Sequence, residues 1–117
     1  MLLYPARMAE ELSQSGFEAL ADQALSRVFD AIEDAATEQA QVDIEGAVLT
    51  LEIDGVGTYV LNKHAPMKQL WLSSPQSGAH HYAWDGKVWA STRGGPDLMS
   101  LLSGELGRAL GQPISLE

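Results

Sequence analysis

The chain has 117 residues, no cysteine and a formal net charge of −9. That length fits a single domain over residues 1–117, and the lack of cysteine excludes disulfides, cysteine nucleophiles and any thiolate-held metal or iron–sulfur cluster. The acidic balance disfavours nucleic acid and anionic membranes and favours cations and basic protein surfaces, and no apolar run approaches the roughly 20 residues of a membrane-spanning helix.

Residues 1–14 carry no clear structural signal and read as a flexible lead. Met1-Leu2-Leu3-Tyr4 is too short for a signal-peptide core, and Arg7 alone is too little for a mitochondrial presequence. The chain is therefore expected to begin in the compartment where it works. Ser15-Gly16-Phe17-Glu18 fits a capping box, with Ser15 as N-cap and Glu18 reaching back. From Phe17, residues Leu20, Ala21, Ala24, Leu25, Val28, Ile32 and Ala35 recur at helical spacing and form one stripe. This helix is predicted to run to about Thr37.

With the stripe facing down, Asp22, Asp30 and Glu33 lie on top of the helix, and Glu18 and Asp34 flank them. Residues three or four apart on a helix have Cβ atoms about 5–6 Å apart, so like charges here oppose one another. Arg27 alone offsets them within the ridge. The next segment adds Asp43 and Glu45 at outward parity. One reading is a solvated face that keeps the protein in solution. The other is a site for hard cations, since carboxylates without thiol or imidazole partners suit Mg²⁺, Ca²⁺, Mn²⁺ and ferrous iron. No EF-hand loop or Glu-x-x-His pair closes a cage, so binding there is expected to be weak and partly hydrated.

Six short strands are predicted next: Gln39–Glu45, Val48–Asp54, Thr58–Lys63, Lys68–Ser73, His80–Trp84 and Lys87–Thr92. Turn residues separate them at Glu45-Gly46, Asp54-Gly55, Ala65-Pro66, Pro75 to Gly78 and Asp85-Gly86. Such short connections favour antiparallel neighbours. In the third strand Tyr59 and Leu61 share one parity, and Thr58, Val60 and Asn62 the other. In the fourth, Leu70 and Leu72 oppose Gln69, Trp71 and Ser73. In the fifth, Tyr82 and Trp84 oppose His81 and Ala83. One face is richly apolar; the other is mixed and carries Asn62, Gln69, Trp71 and His81, as an antiparallel sheet with one wet side does. A covering layer would make Trp71 ordinary core, but the parity of its neighbours argues against one. His80 and His81 point to opposite faces and cannot chelate one ion from regular strand geometry; a pH response at the surface fits them better.

Gly94-Gly95-Pro96-Asp97 opens a second helix with the stripe Leu98, Leu101, Leu102, Leu106 and Ala109, ended by Gly111. Gly104 and Gly107 lie inside it at a cost of roughly 1 kcal/mol each against alanine; close packing on the sheet would explain one. The order helix, strands, helix predicts an α+β two-layer sandwich, with both helices on one face of an antiparallel sheet of about six strands. No catalytic template fits: there is no G-x-S-x-G, no phosphate-cradling glycine loop and no basic groove.

The run Gly57-Thr58-Tyr59-Val60-Leu61-Asn62-Lys63, then Pro66, Lys68-Gln69-Leu70-Trp71-Leu72-Ser73-Ser74-Pro75, Ser77-Gly78, Tyr82 and Trp84 closely resembles the frataxin family. The similarity extends from about Phe17 to about Leu110, and the Ser-Ser-Pro-x-Ser-Gly loop resembles its mitochondrial and alphaproteobacterial-like branch. The resemblance implies the same sandwich fold and iron bound along the acidic ridge. Asp22, Asp30, Glu33 and Asp34 match acidic family positions, with Glu18 and Asp43 beside them. Ser26, Thr37, Gln39 and Gln41 depart from acidic ones, which lowers the expected number of ions. It also implies that Asn62, His64, Gln69, Trp71 and His81 contact cysteine desulfurase and the iron–sulfur scaffold protein. His64 stands in place of the usual glutamine and His81 in place of the usual arginine.

The expected function is thus a weak iron binder of iron–sulfur cluster assembly that donates iron or regulates sulfur transfer. Ferrous or ferric iron is the expected ligand, with no organic cofactor. A monomer is expected, with iron-dependent oligomers, in a bacterial cytoplasm or, for a processed eukaryotic form, the mitochondrial matrix. Two rival readings are ferroxidase or iron-storage activity, which the resemblance also implies, and a small acidic chaperone-type binding module that dimerises.

Overall fold

The computed structural model describes residues 12–116. The N-terminal lead therefore lies outside the described residues up to residue 11, while Gln14 already opens the first helix. Helix α1 spans Gln14–Ala35. Six strands follow: β1 (Ala40–Glu45), β2 (Val48–Ile53), β3 (Gly57–His64), β4 (Gln69–Ser74), β5 (Gly78–Trp84) and β6 (Trp89–Ser91), then helix α2 (Leu98–Leu110). The strands form one antiparallel sheet in the order β1-β2-β3-β4-β5-β6, each paired with its chain neighbours.

The alternating apolar residues of the strands form the inner face. Leu49, Leu51, Ile53, Tyr59, Leu61, Leu70, Leu72, Tyr82 and Trp89 are buried there. Against them pack Phe17, Ala21, Ala24, Leu25, Val28 and Ile32 from α1 and Leu98, Leu102 and Leu106 from α2. The expected two-layer sandwich is the observed one. Burying each large side chain supplies roughly 1.5–3 kcal/mol, so this single layer of contacts is what holds the sheet rigid and its far side in place.

Several details differ from the sequence reading. Ser13, not Ser15, caps α1: its side chain accepts from Gly16 N at 2.9 Å. Glu18 is then free to reach across to the sheet. The helix stops at Ala35 because Ala36 takes a left-handed conformation (φ 52°) and returns its N–H to the Glu33 carbonyl, a C-cap made without glycine. β6 is three residues long, because the Asp85 carboxylate accepts from both Lys87 N and Val88 N and spends those residues on the turn. After Gly111, Ile114 and Leu116 return to the core; that segment is too short to show a period.

Gly57 is required where it stands. Its φ is 131°, and a Cβ there would lie 2.8 Å from Pro75 Cβ, in the neighbouring Ser-Ser-Pro turn. The two glycines inside α2 have no such reason: a Cβ at Gly104 or at Gly107 would meet nothing closer than 3.5 Å.

Candidate functional site

The outer sheet face is built by register. Asn62, Trp71 and His81 lie directly opposite one another on β3, β4 and β5, and His64 lies opposite Gln69. Facing side chains on adjacent strands sit about 4.5–5.5 Å apart. The five residues singled out for partner contact therefore share one patch. Trp71 is half-buried on this side, which neither helix covers. Its ring is flanked on both sides: His64 stacks on it with centroids 3.7 Å apart and planes 9° apart, and His81 with 4.3 Å and 10°. The indole N–H donates to Gln69 Oε1 at 2.8 Å.

The two imidazoles differ. His81 is exposed, whereas His64 is half-buried. His64 Nδ1 is sealed from solvent with no hydrogen-bond partner among the described residues. A stacked aromatic pair contributes about 0.5–1.5 kcal/mol beyond its burial. A buried unsatisfied polar atom costs about 1–3 kcal/mol. The two terms nearly offset each other at His64. Charge is sparse on this side. No outward-facing strand position among the described residues holds Lys or Arg, and the outward acids, Asp43, Glu45 and Glu52, lie on β1 and β2.

The acidic ridge divides into two parts. Lys63 has inward parity on β3, and its ammonium reaches Asp22 at 2.6 Å and Glu18 at 3.0 Å. Arg27 is therefore not the only offset. Hydrogen bonding to Asp22 is the largest cause of the raised Lys63 pKa; burial opposes it and Glu18 adds to it. Arg27 itself donates to the Leu116 carbonyl at 3.3 Å. Further along α1, Asp30 and Asp34 flank a shallow cleft with Ser26, Arg27 and Ser115. Asp30 also shares a hollow with Asp43 of β1, beside Phe29 and Ile44. Glu33 is exposed on the same helix half. Among the described residues no group of three or more His, Asp or Glu side chains converges on one point. What the ridge offers a cation is open carboxylates, with Asp30 lining one hollow with Asp34 and another with Asp43.

A third cluster escaped the sequence reading. Glu105 of α2 is buried, and its carboxylate accepts from Tyr59 at 2.8 Å, from Ser74 at 2.7 Å and from Ser77 at 2.5 Å. Gln76 donates to the Tyr59 hydroxyl, and His80 Nε2 lies 2.8 Å from Ser77 Oγ. Burial pushes the Glu105 carboxyl up, yet hydrogen bonds from Ser77, Ser74 and Tyr59 outweigh it and hold its pKa below the ordinary glutamate value. Burial, with Glu105 beside it, pushes Tyr59 up to about 12. This network fastens α2 to β3 and to the β4–β5 turn. Its signal was present: Glu105 falls three residues after Leu102 and seven after Leu98, inside the apolar stripe.

Comparison with known proteins gives consistent matches. A family model described as a frataxin-like domain matches residues 10–112. The iron-sulfur cluster assembly protein CyaY of Cupriavidus metallidurans is 38% identical over 110 residues, covering 91% of this chain and 97% of that protein. A frataxin-like mitochondrial protein of Leishmania donovani is 46% identical over 111 residues, covering 86% of this chain and 58% of that one. Among solved structures, frataxin from Psychromonas ingrahamii superposes with a TM-score of 0.80 at 26% identity, covering 90% of this chain and 98% of that one. Trimeric yeast frataxin complexed with ferrous iron superposes at 0.71 with 36% identity, covering 79% and 86%.

Proposed function

Since the chain belongs to the frataxin family, we propose that it serves iron–sulfur cluster assembly by binding iron weakly and docking on cysteine desulfurase and its scaffold protein. The observation that carries this reading is Trp71, which stands on the sheet face opposite the helices with Asn62, His64, Gln69 and His81 around it. An aromatic anchor ringed by amides and imidazoles on a rigid sheet has the anatomy of an interaction hot spot. A docked partner would meet hydrogen-bonding groups of fixed register, so little side-chain freedom is lost on binding.

The iron site of this reading is the far half of the ridge. Asp30, Glu33 and Asp34 with Asp43 would present carboxylates that carry no ion pair among the described residues to a hydrated ferrous ion, while Glu18 and Asp22 are held by Lys63. Carboxylate-only ligation of an exposed ion is loose and exchangeable, which suits a carrier or regulator that must release its cargo. The chain's charge of −9 draws both the cation and basic protein surfaces. The proposed place of action is the compartment of cluster assembly, a bacterial cytoplasm or a mitochondrial matrix, and the proposed working form is a monomer.

The test is a desulfurase assay with scaffold protein, with and without this chain and ferrous iron, alongside a pull-down. Trp71→Ala is expected to abolish capture of the desulfurase–scaffold complex while leaving the far-ultraviolet circular dichroism unchanged. Normal capture by that variant would refute the docking reading. Paramagnetic divalent ions are expected to broaden amide signals around Asp30, Glu33, Asp34 and Asp43 first. Broadening centred on His80 and His81 would move the iron site.

A further inference from the structure

The anchor tryptophan is occupied by its own chain. Both π-faces are covered, by His64 at 3.7 Å and His81 at 4.3 Å, and its N–H is held by Gln69. A partner can reach only the ring edge unless one of these contacts yields. His64 is the one poised to yield. It sits just before the turn Ala65–Met67, and it holds its place by stacking while keeping a sealed Nδ1 that has no hydrogen-bond partner among the described residues. Leaving the stack returns that nitrogen to solvent, so the loss of one contact is largely offset by the relief of another. His81 is exposed and carries no such burden.

We propose that His64 is a lid on Trp71: it covers one face of the indole in the free protein and swings away when a partner side chain takes its place. This deepens the docking reading and rests on it. On that reading alone His64 would be one more contact whose loss weakens binding. As a lid it is an internal competitor whose loss strengthens binding. The affinity of a site that is open only part of the time is lowered by the open fraction, so the closed lid taxes docking by its own closing equilibrium.

Nothing charged on the surrounding elements holds the lid. The outward neighbours are Val48 and Thr50 on β2, Asn62 on β3, Gln69 and Ser73 on β4, Ala79, His81 and Ala83 on β5 and Ala90 on β6, while the outward acid Glu52 of β2 lies opposite Thr58 at the far end of β3 from His64. Lys63 turns to the opposite face toward Glu18 and Asp22, and the Lys68 ammonium is committed to the Leu12 carbonyl. The stack is therefore a contact of three rings, to be tested by removing one.

Two variants suffice, His64→Ala and His64→Gln, neither of which can stack as an imidazole does. In the free protein, acrylamide quenching of tryptophan emission is expected to rise in both relative to the parent chain. Titrated against the desulfurase–scaffold complex, both are expected to bind about 2-fold more tightly, the gain set by a lid closed about half the time. Weaker or unchanged binding by both variants would make His64 a contact or a bystander and overturn the lid. Unchanged quenching would do the same without reference to any partner. Trp71→Ala serves as the separate control: if it binds normally, the docking reading fails by itself, while the quenching result still judges the lid.

Discussion

Glu105 takes a place in the α2 stripe where an apolar side chain would ordinarily sit, and three hydroxyls make that place tolerable. Removing the carboxylate leaves the O–H donors of Tyr59 and Ser74 without an acceptor in the interior, so Glu105→Ala is expected to lose about 3 kcal/mol or more in urea unfolding. Tyr59→Phe removes one donor of three and is expected to cost about 1 kcal/mol. The same carboxylate gives the fold an acid limit. Its folded pKa lies below the ordinary value of 4.5, so its contribution is complete above that pH and is lost as pH falls through the lower folded value. Urea midpoints are expected to decline below about pH 4.5 in the parent chain and to decline less in Glu105→Gln; equal slopes would remove Glu105 as the cause. At this scale parity made much of the site legible. The outward direction of Trp71 and the opposed directions of His80 and His81 follow from counting alternate residues. The stack on Trp71 does not, because it needs the register between three strands, which one sequence leaves open. Lys63 was legible and overlooked, for it shares the inward parity of Tyr59 and Leu61 and could only point toward the helix layer.

At the level of elements, α2 contains an avoidable weakness. A Cβ at Gly104 would meet Arg108 Nη1 at 3.5 Å and one at Gly107 the Gln112 carbonyl at 3.5 Å, both ordinary contacts. Gly104→Ala and Gly107→Ala are each expected to stabilise the fold, by up to about 1 kcal/mol, as a rise in melting temperature; a fall at either position would reveal a need for glycine there. At the start of α1, Ser13→Ala is expected to cost about 1 kcal/mol and Ser15→Ala far less, because only Ser13 accepts from Gly16 N. The strands were legible because β2 to β5 alternate cleanly between turn residues. The helix boundaries were less so. Ser13 and Ser15 are equivalent as caps until the first turn is placed, and nothing in the sequence marks Ala36 for a left-handed turn. Ile114 and Leu116 cover the core through a segment with no turn of helix or strand to betray it.

For the whole molecule, a charge of −9 on so small a body implies self-repulsion. Stability is expected to rise by a few degrees in melting temperature between about 20 and about 300 mM sodium chloride, as screening relaxes the acids that Lys63 does not reach. A fall would mean that the Lys63 pairs dominate. Those pairs have their own limit. The Lys63 pKa is raised above 10.5, so their contribution is present below that pH and fades as pH rises through the higher folded value. The strand order has a kinetic corollary. Because every strand hydrogen-bonds to its chain neighbours, the sheet can assemble from successive local closures, each with a small loop entropy. The helices' contacts span longer stretches of chain, as between Phe17 and Trp89, Tyr59 and Glu105, and Arg27 and Leu116, so their closure is expected to follow formation of the sheet. Leu102→Ala, which opens a cavity beneath α2 and costs about 2–5 kcal/mol, should therefore accelerate unfolding while leaving the refolding rate nearly unchanged in stopped-flow measurements. The molecule's lifetime in the folded state would then be governed by how firmly its last helix clasps a sheet already made.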